Sequence, residues 1–401
     1  MKIGIVTTWH ERGAAYVSRQ YRDVLDRAGH ETFVFARSCT LDKNNRNWDD
    51  PKVHWASKTL TRDWSEVPLS EFKRWLHDTG VSVVLFNEQR TNWPMAICSE
   101  LGVKTIAYVD YYKKETVNDF AIYDGLVCNT RRHYSVFDWH PQCLYVPWGT
   151  DTSLFRPSEN WPSLVNPGVV TFFHSAGCAP TRKGTDHLLR AFAKVKGPAR
   201  LVIHAQKDIF AEIPDLKSVA DSIVNDGRLR IISETIPAPG AYSMGDVYVY
   251  PSRLDGIGLT VCEAMSCGLP VIVPDEAPMN EFPDVASGVL VPVAGRSMRT
   301  DGYYWPMCNI DENSLMASME ALAGNPENVV AMKRSAREHA LRDRSWEKNS
   351  RAIPSFFEGL NEAHDASLVH RFRSRPPCVF LHDLAKNAKK SIRTALGRLK
   401  S

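Results

Sequence analysis

Two carboxylates eight positions apart, Asp255 and Glu263, flank a glycine-containing loop within residues 248–272. Tyr248-Val249-Tyr250-Pro251 reads as the end of a strand, Gly256 and Gly258 lie in the loop, and a helix is expected to open near Thr260. Glycine lets a backbone approach a bound group closely, and the first N–H groups of a helix lack intrahelical acceptors. Gly256, Ile257, Gly258, Leu259, Thr260 and Val261 therefore outline a seat for a pyrophosphate. A carboxylate beside such a seat accepts hydrogen bonds from sugar hydroxyls, as the acidic residue of a dinucleotide fold does from ribose. The same letters have a plainer reading, because Thr260-x-x-Glu263 is also a capping box and a glycine loop after a strand is also a tight turn.

A second stretch, residues 174–185, places Arg182 and Lys183 at the entrance of a helix that starts at Thr185. Cations there oppose the positive end of the helix dipole. An anionic ligand would resolve that conflict, and a solvated Arg-Lys pair is the alternative. His174, at a strand end, reads as a core histidine, and Tyr303-Tyr304-Trp305-Pro306 as a packed loop rather than a sugar platform.

The elements that must hold these groups alternate between strand and helix. Residues 2–6 are β-branched and apolar, Val17, Tyr21, Val24, Leu25 and Ala28 recur at helical spacing, and residues 32–36 read as a second strand. Such a βαβ unit makes the sheet parallel, and 81–86, 105–109, 126–128 and 144–146 continue it. After a Pro- and Trp-rich passage the alternation restarts with strands at 169–173, 201–204, 229–232, 247–250 and 271–273. The fold class implied is α/β, with two Rossmann-like doubly wound domains facing across a cleft. The expected boundaries are an N-terminal domain at 1–150, a linker at 151–167, a C-terminal domain at 168–350, a closing helix at 351–370 able to cross back to the first domain, and a tail at 371–401.

Composition excludes several classes. The 401 residues are 43% hydrophobic and 24% charged, too apolar for a disordered chain, and the net charge of +3 is no polyanion-binding signature. The charge is uneven, since residues 371–401 hold nine basic side chains against Asp383 alone. Within 380–401 the apolar residues fall at i, i+3 and i+4 with lysines and arginines between them, so a basic amphipathic C-terminal helix is expected. It suits an anionic membrane surface, with a solvated or docking helix as the alternative, and carries no nucleic-acid reader motif. Nine scattered cysteines without CxxC spacing argue against a disulfide scaffold or a zinc ribbon. With no signal-peptide pattern and no apolar span, the expectation is a cytoplasmic protein, peripheral at most on the inner face of the membrane.

Residues 255–272 resemble the E-G-F-G-L…E-A-M-A-C-G-x-P-V-I signature of the GT-B glycosyltransferases of retaining family 4. Residues 146–157 resemble that family's interdomain linker, and Ser345-Trp346-Glu347 its late S-W-E motif. The resemblance runs through most of residues 1–365. It implies a metal-independent enzyme that moves a sugar, with retention, from a nucleotide diphosphate sugar to a glycan or lipid-linked acceptor in cell-surface polysaccharide or lipopolysaccharide synthesis. By the same resemblance Lys183 holds the donor diphosphate, with Arg182 beside it, Glu263 holds the ribose and Asp255 lies against the donor sugar. Gly13 and Ala14 fall where the family has a glycine pair near donor phosphate and acceptor; an ordinary βα turn is the alternative for Gly13.

This chain departs from the family at three positions: Cys178 where an arginine follows the glycine, Asp255 for glutamate, and Asp110 where many members have a histidine. Asp110 is a candidate to orient or deprotonate the acceptor hydroxyl, or a satisfied strand-end residue. The alternatives to transfer are a GT-B sugar phosphorylase or glycan synthase on soluble saccharide, and a GT-B scaffold whose site has lapsed. The donor base has no side-chain code to read.

Overall fold

The first strand, β1 (Lys2–Thr7), is buried from Ile3 onward, as a strand covered by helices on both faces of a parallel sheet must be. The computed structural model describes residues 1–37, 47–57 and 65–373. From β1 the chain runs through α1 (Gly13–Arg27), β2 (Glu31–Ala36), β3 (Val53–Trp55), α2 (Leu69–Thr79), β4 (Val83–Asn87), α3 (Trp93–Glu100), β5 (Lys104–Tyr108), β6 (Gly125–Cys128), α4 (Arg131–Phe137) and β7 (Cys143–Tyr145). These strands form a parallel sheet in the order β3-β2-β1-β4-β5-β6-β7. The order reverses between β1 and β4, and the loops beyond their carboxyl ends carry Gly13 and Glu88.

A second series follows: β8 (Val170–Gly177), α5 (Thr185–Phe192), β9 (Ala199–Ala205), α6 (Lys217–Asn225), β10 (Leu229–Ser233), β11 (Val247–Val249), α7 (Leu259–Ser266), β12 (Val271–Pro274) and β13 (Gly288–Val291). Its parallel sheet has the order β10-β9-β8-β11-β12-β13, with a core that includes Phe172, Leu188, Leu201, Val247 and Ile272. Here the reversal lies between β8 and β11. The loops leaving those two strands are the ones that carry Lys183 and Asp255, so topology alone brings the two motifs together.

An antiparallel ribbon of β14 (Val293–Ser297) and β15 (Met307–Ile310), which the strand pattern does not predict, follows. The chain then runs through α8 (Glu312–Ala323), α9 (Pro326–Asp343) and α10 (Trp346–Asn349), and the closing segment expected at 351–370 holds two helices, α11 (Ala352–Glu358) and the start of α12 (Ala366–Arg373).

The chain divides into two units. One comprises Met1–Cys128, His133–Tyr145 and the chain from Ala352 onward; the other comprises Asn129–Arg132 and Val146–Arg351. In the first, Phe356 and Leu360 close on Gly125, and His364 Nδ1 meets Asp124 Oδ1 at 2.7 Å. In the second, residues 151–167 are tied down by Lys333, whose buried ammonium donates to Ser163 O and Asp246 Oδ1, each at 3.0 Å. The basic amphipathic helix expected over 380–401 lies outside the described residues. No helix among the described residues is long and apolar enough to cross a membrane.

Candidate functional site

The turn between β8 and α5 is held by its own backbone, with Lys183 N–H donating to Ala179 O and Thr185 N–H to Pro180 O, each at 3.0 Å. Gly184 closes it at φ +74°, and a Cβ on that residue would stand 2.0 Å from the Pro251 carbonyl oxygen. That approach is open to glycine alone. It sets the Lys183 turn directly against the loop after β11, and Arg253 N–H donates to Arg182 O at 2.9 Å across the seam.

Within this seam Lys183 Nζ lies 2.5 Å from Asp255 Oδ2, and the Tyr250 hydroxyl donates to the same oxygen at 2.5 Å. Lys183 also donates to the Tyr250 hydroxyl and sits 4.7 Å from the centre of its ring. Asp255 Oδ1 accepts Gly258 N–H at 3.1 Å, so one short carboxylate both braces the glycine loop and pairs with the lysine. Arg182 Nη1 donates to Leu254 O at 2.8 Å and lies 3.7 Å from Asp255 Oδ2. The Lys183 and Asp255 side chains are 15% and 12% exposed, which makes their charges matter. Burial pushes the Lys183 ammonium down to about 8, although Asp255 opposes it. Burial alone would raise the Asp255 carboxyl; the Lys183 and Arg182 cations, with hydrogen bonds from Lys183 and Tyr250, hold it well below the usual carboxylate range.

Glu263 does not cap its helix. The residue before α7 is Gly258, left-handed at φ +59°, and no side chain caps there, so the capping-box reading of Thr260 and Glu263 does not hold. The Glu263 carboxylate instead accepts the Tyr242 hydroxyl at 2.5 Å. Burial raises its pKa to about 7, with the Tyr242 bond and the Lys183 charge acting in the opposite sense. Val261 N–H is taken by Gly258 O at 2.9 Å. The N–H groups of this helix start that have no backbone acceptor among the described residues are therefore those of Leu259 and Thr260.

Cys178 is exposed and its thiol donates to Gln206 Oε1 at 2.6 Å, so a neutral group stands where the resemblance calls for a cation. His174 is a core histidine, held by Val249 O and Thr185 Oγ1, each at 2.8 Å. Among the described residues no group of three or more His, Cys, Asp or Glu is arranged to hold a metal ion.

Lys183, Arg182, Asp255 and the residue 256–263 segment thus converge in one unit, while Gly13, Ala14 and Asp110 belong to the other. Gly13 opens α1, and Ala14 O accepts Asn87 Nδ2 at 2.8 Å. Asp110, just beyond β5, hydrogen-bonds Glu88, a residue that stands left-handed at φ +53° after β4. Burial raises the Glu88 carboxyl, against the Arg37, Arg90 and Arg12 cations and the Asp110 bond. Glu88, Tyr242 and the Tyr250 hydroxyl carry no signal in the sequence that marks them out beside these groups. Tyr250 stood in the quoted motif, but nothing in its spacing says that its hydroxyl meets a carboxylate five residues on.

The raised Glu263 pKa makes a prediction. The folded protein keeps a proton that the unfolded chain releases near pH 4.5, so this group's stabilising contribution is full below 4.5 and is lost as pH rises towards 7. Glu263→Gln removes that titration. In thermal unfolding of the ligand-free protein, the melting temperature of Glu263→Gln relative to wild type is expected to rise from pH 5 to pH 7.5; a flat difference would contradict the assignment.

Residues 169–297 match the family described as glycosyl transferases group 1. The chain is 24% identical over 256 residues to the GDP-mannose-dependent alpha-(1-6)-phosphatidylinositol monomannoside mannosyltransferase of Mycolicibacterium smegmatis, covering 59% of this chain and 61% of that one. It spans only about half to three fifths of the length of the curated relatives it matches. Among solved structures it superposes on Anabaena HepE in complex with UDP and glucose with a TM-score of 0.68 at 15% identity, covering 90% of this chain and all of that one. It superposes on WaaG, a glycosyltransferase involved in lipopolysaccharide biosynthesis, with a TM-score of 0.64 at 14% identity over 90% and 100% of the two chains. The structural likenesses are of fold.

Proposed function

We propose that this chain, whose residues 169–297 match the group 1 glycosyl transferases and whose fold is that of GT-B structures, moves a sugar from a nucleotide diphosphate sugar to a glycan or lipid-linked acceptor with retention of configuration. The observation that carries this reading is the Lys183–Asp255 pair at the switch point of the second sheet, beside the N-terminus of α7. Transfer leaves negative charge on the departing diphosphate. Lys183, Arg182 and the Leu259 and Thr260 N–H groups supply fixed positive potential for it. Glu263 takes the ribose hydroxyls, and Asp255, once Lys183 turns to phosphate, takes hydroxyls of the donor sugar. Gly13 and Ala14 leave room for donor phosphate and acceptor, and Asp110 orients the acceptor hydroxyl.

The mannosyltransferase acting on a phosphatidylinositol mannoside and the lipopolysaccharide enzyme support an acceptor at a membrane face, as does the basic pattern of residues 380–401. Basic residues near an anionic surface contribute about 1 kcal/mol each. Truncation after Arg373 is therefore expected to weaken binding to phosphatidylglycerol-containing vesicles at least tenfold in a flotation assay, with binding to neutral vesicles unchanged. Equal flotation of both chains would remove the membrane proposal.

The test of the reaction is thermal stabilisation by UDP, GDP, ADP and dTDP and by their common sugars, followed by turnover with the donor so selected. Selective stabilisation by one base together with sugar transfer is the expected result. No stabilisation by any of them would overturn the reading in favour of a scaffold whose site has lapsed.

A further inference from the structure

Behind the two loops lies a second charged constellation that the transfer reading leaves unused. Arg253, two residues before Asp255, forks onto Asp186, three residues after Lys183: Nη1 lies 2.6 Å from Oδ1 and Nη2 2.8 Å from Oδ2. Nη1 also donates to Thr181 O at 2.5 Å, and Nε to Asn309 Oδ1 at 2.9 Å. Four of the five guanidinium N–H groups are thereby engaged in a planar geometry that lysine cannot reproduce. Both side chains are nearly buried, at 13% and 11% exposure. Burial would raise the Asp186 carboxyl, and Arg253 and Arg190 hold it well below its usual range. The backbone of Arg253 completes the junction, its N–H on Arg182 O and its carbonyl accepting Cys308 N–H, each at 2.9 Å.

We infer that the Arg253–Asp186 fork is the positioning device of the diphosphate site, fixing the 181–183 turn against the 254–255 loop so that the Lys183 ammonium is presented to phosphate. The inference rests on the reading of Lys183 given above. A lysine is a point charge on a flexible stem, and holding it in one direction costs rotamer entropy. The direction must come from the backbone that carries it, and neither loop has regular secondary structure of its own. A bidentate pair between the loop after β11 and the first turn of α5, buried and anchored to the Thr181 carbonyl and the Asn309 side-chain amide, leaves one arrangement of the two loops. Arg253 and Asp186 touch no donor atom in this account; they act through Lys183.

A merely structural brace would move every ligand's affinity alike, whereas a device that aims Lys183 acts on phosphate alone. The experiment is calorimetric titration of the full chain with uridine and UDP, and with guanosine and GDP, in wild type, Arg253→Met, Arg253→Lys and Asp186→Asn. The readout is the ratio of nucleoside to nucleoside diphosphate Kd for the base that binds. In Arg253→Met and Asp186→Asn that ratio is expected to fall about tenfold, with nucleoside Kd within twofold of wild type. Arg253→Lys, which can reach one Asp186 oxygen, is expected to lose about threefold. Circular dichroism identifies any variant that fails to fold, and Arg253→Lys keeps the test open if Arg253→Met does. An unchanged ratio in the folded variants, or equal loss for nucleoside and diphosphate, overturns the inference. A wild type that binds diphosphate no better than nucleoside overturns the reading of Lys183, and with it the inference's premise, before any variant is compared.

Discussion

Lys183→Ala is expected to leave no detectable stabilisation by any nucleoside diphosphate and to lower kcat/KM for transfer about a thousandfold. The loss of one preorganised charge facing a developing anion is of that order. The variant also strands Asp255, 12% exposed, beside Arg182 at 3.7 Å and without its closest cation. Breaking a buried pair from one side costs about 3 kcal/mol, because the remaining charge is uncompensated. Adding Asp255→Asn should therefore restore the melting temperature of the ligand-free protein without restoring nucleotide binding. Recovery of both would mean that Lys183 serves the fold and not the ligand. Retained stabilisation by a diphosphate in Lys183→Ala alone would remove the centre of the proposed mechanism.

The second large effect is expected at Gly184. Alanine there meets two separate penalties, a left-handed backbone at φ +74° and a Cβ 2.0 Å from Pro251 O, which is a main-chain atom with no rotamer to yield. Together they should cost about 3 kcal/mol. In a unit of this size that lowers the melting temperature by roughly 6–12 °C. Gly227 supplies the control, since it is also left-handed at φ +71° but has nothing within 4 Å of its Cβ position. Gly227→Ala should lose only the backbone part, roughly 2–4 °C. Equal losses at the two positions would show that the approach of the loops is not needed. Diphosphate affinity should fall in Gly184→Ala and not in Gly227→Ala, because only the former moves the Lys183 turn.

How much of this could be read beforehand depended on whether the information was local. The apolar runs at 2–6 and 169–173 announced parallel strands because such strands are buried on both faces. The two loops of the site were legible for the same reason, each lying between a recognisable strand and helix. The β14–β15 ribbon was not, since Val293-Ala294-Gly295-Arg296-Ser297 has no clear alternation and only Cys308 and Ile310 of its partner are buried. Thr260-x-x-Glu263 misled as a cap because the letters are those of a capping box, while the conformation of Gly258 decided the helix start. The Arg253–Asp186 fork joins residues 67 positions apart, and Glu88 takes a backbone conformation that glutamate rarely adopts. Neither leaves a periodic trace.

The ion pair at the centre of the site also bears on what enters and leaves it. Asp255 is tethered beside Lys183, so it competes for that ammonium at an effective concentration no dissolved anion reaches. A bystander such as free phosphate meets a lysine already neutralised. In the proposed reaction, the carboxylate that would replace a spent nucleoside diphosphate stands 2.5 Å from the lysine. A ligand that also offers the carboxylate hydroxyl groups in exchange takes the lysine on better terms than one that offers charge alone. In the proposed reaction the pair would favour a diphosphate that arrives with its sugar over the diphosphate alone.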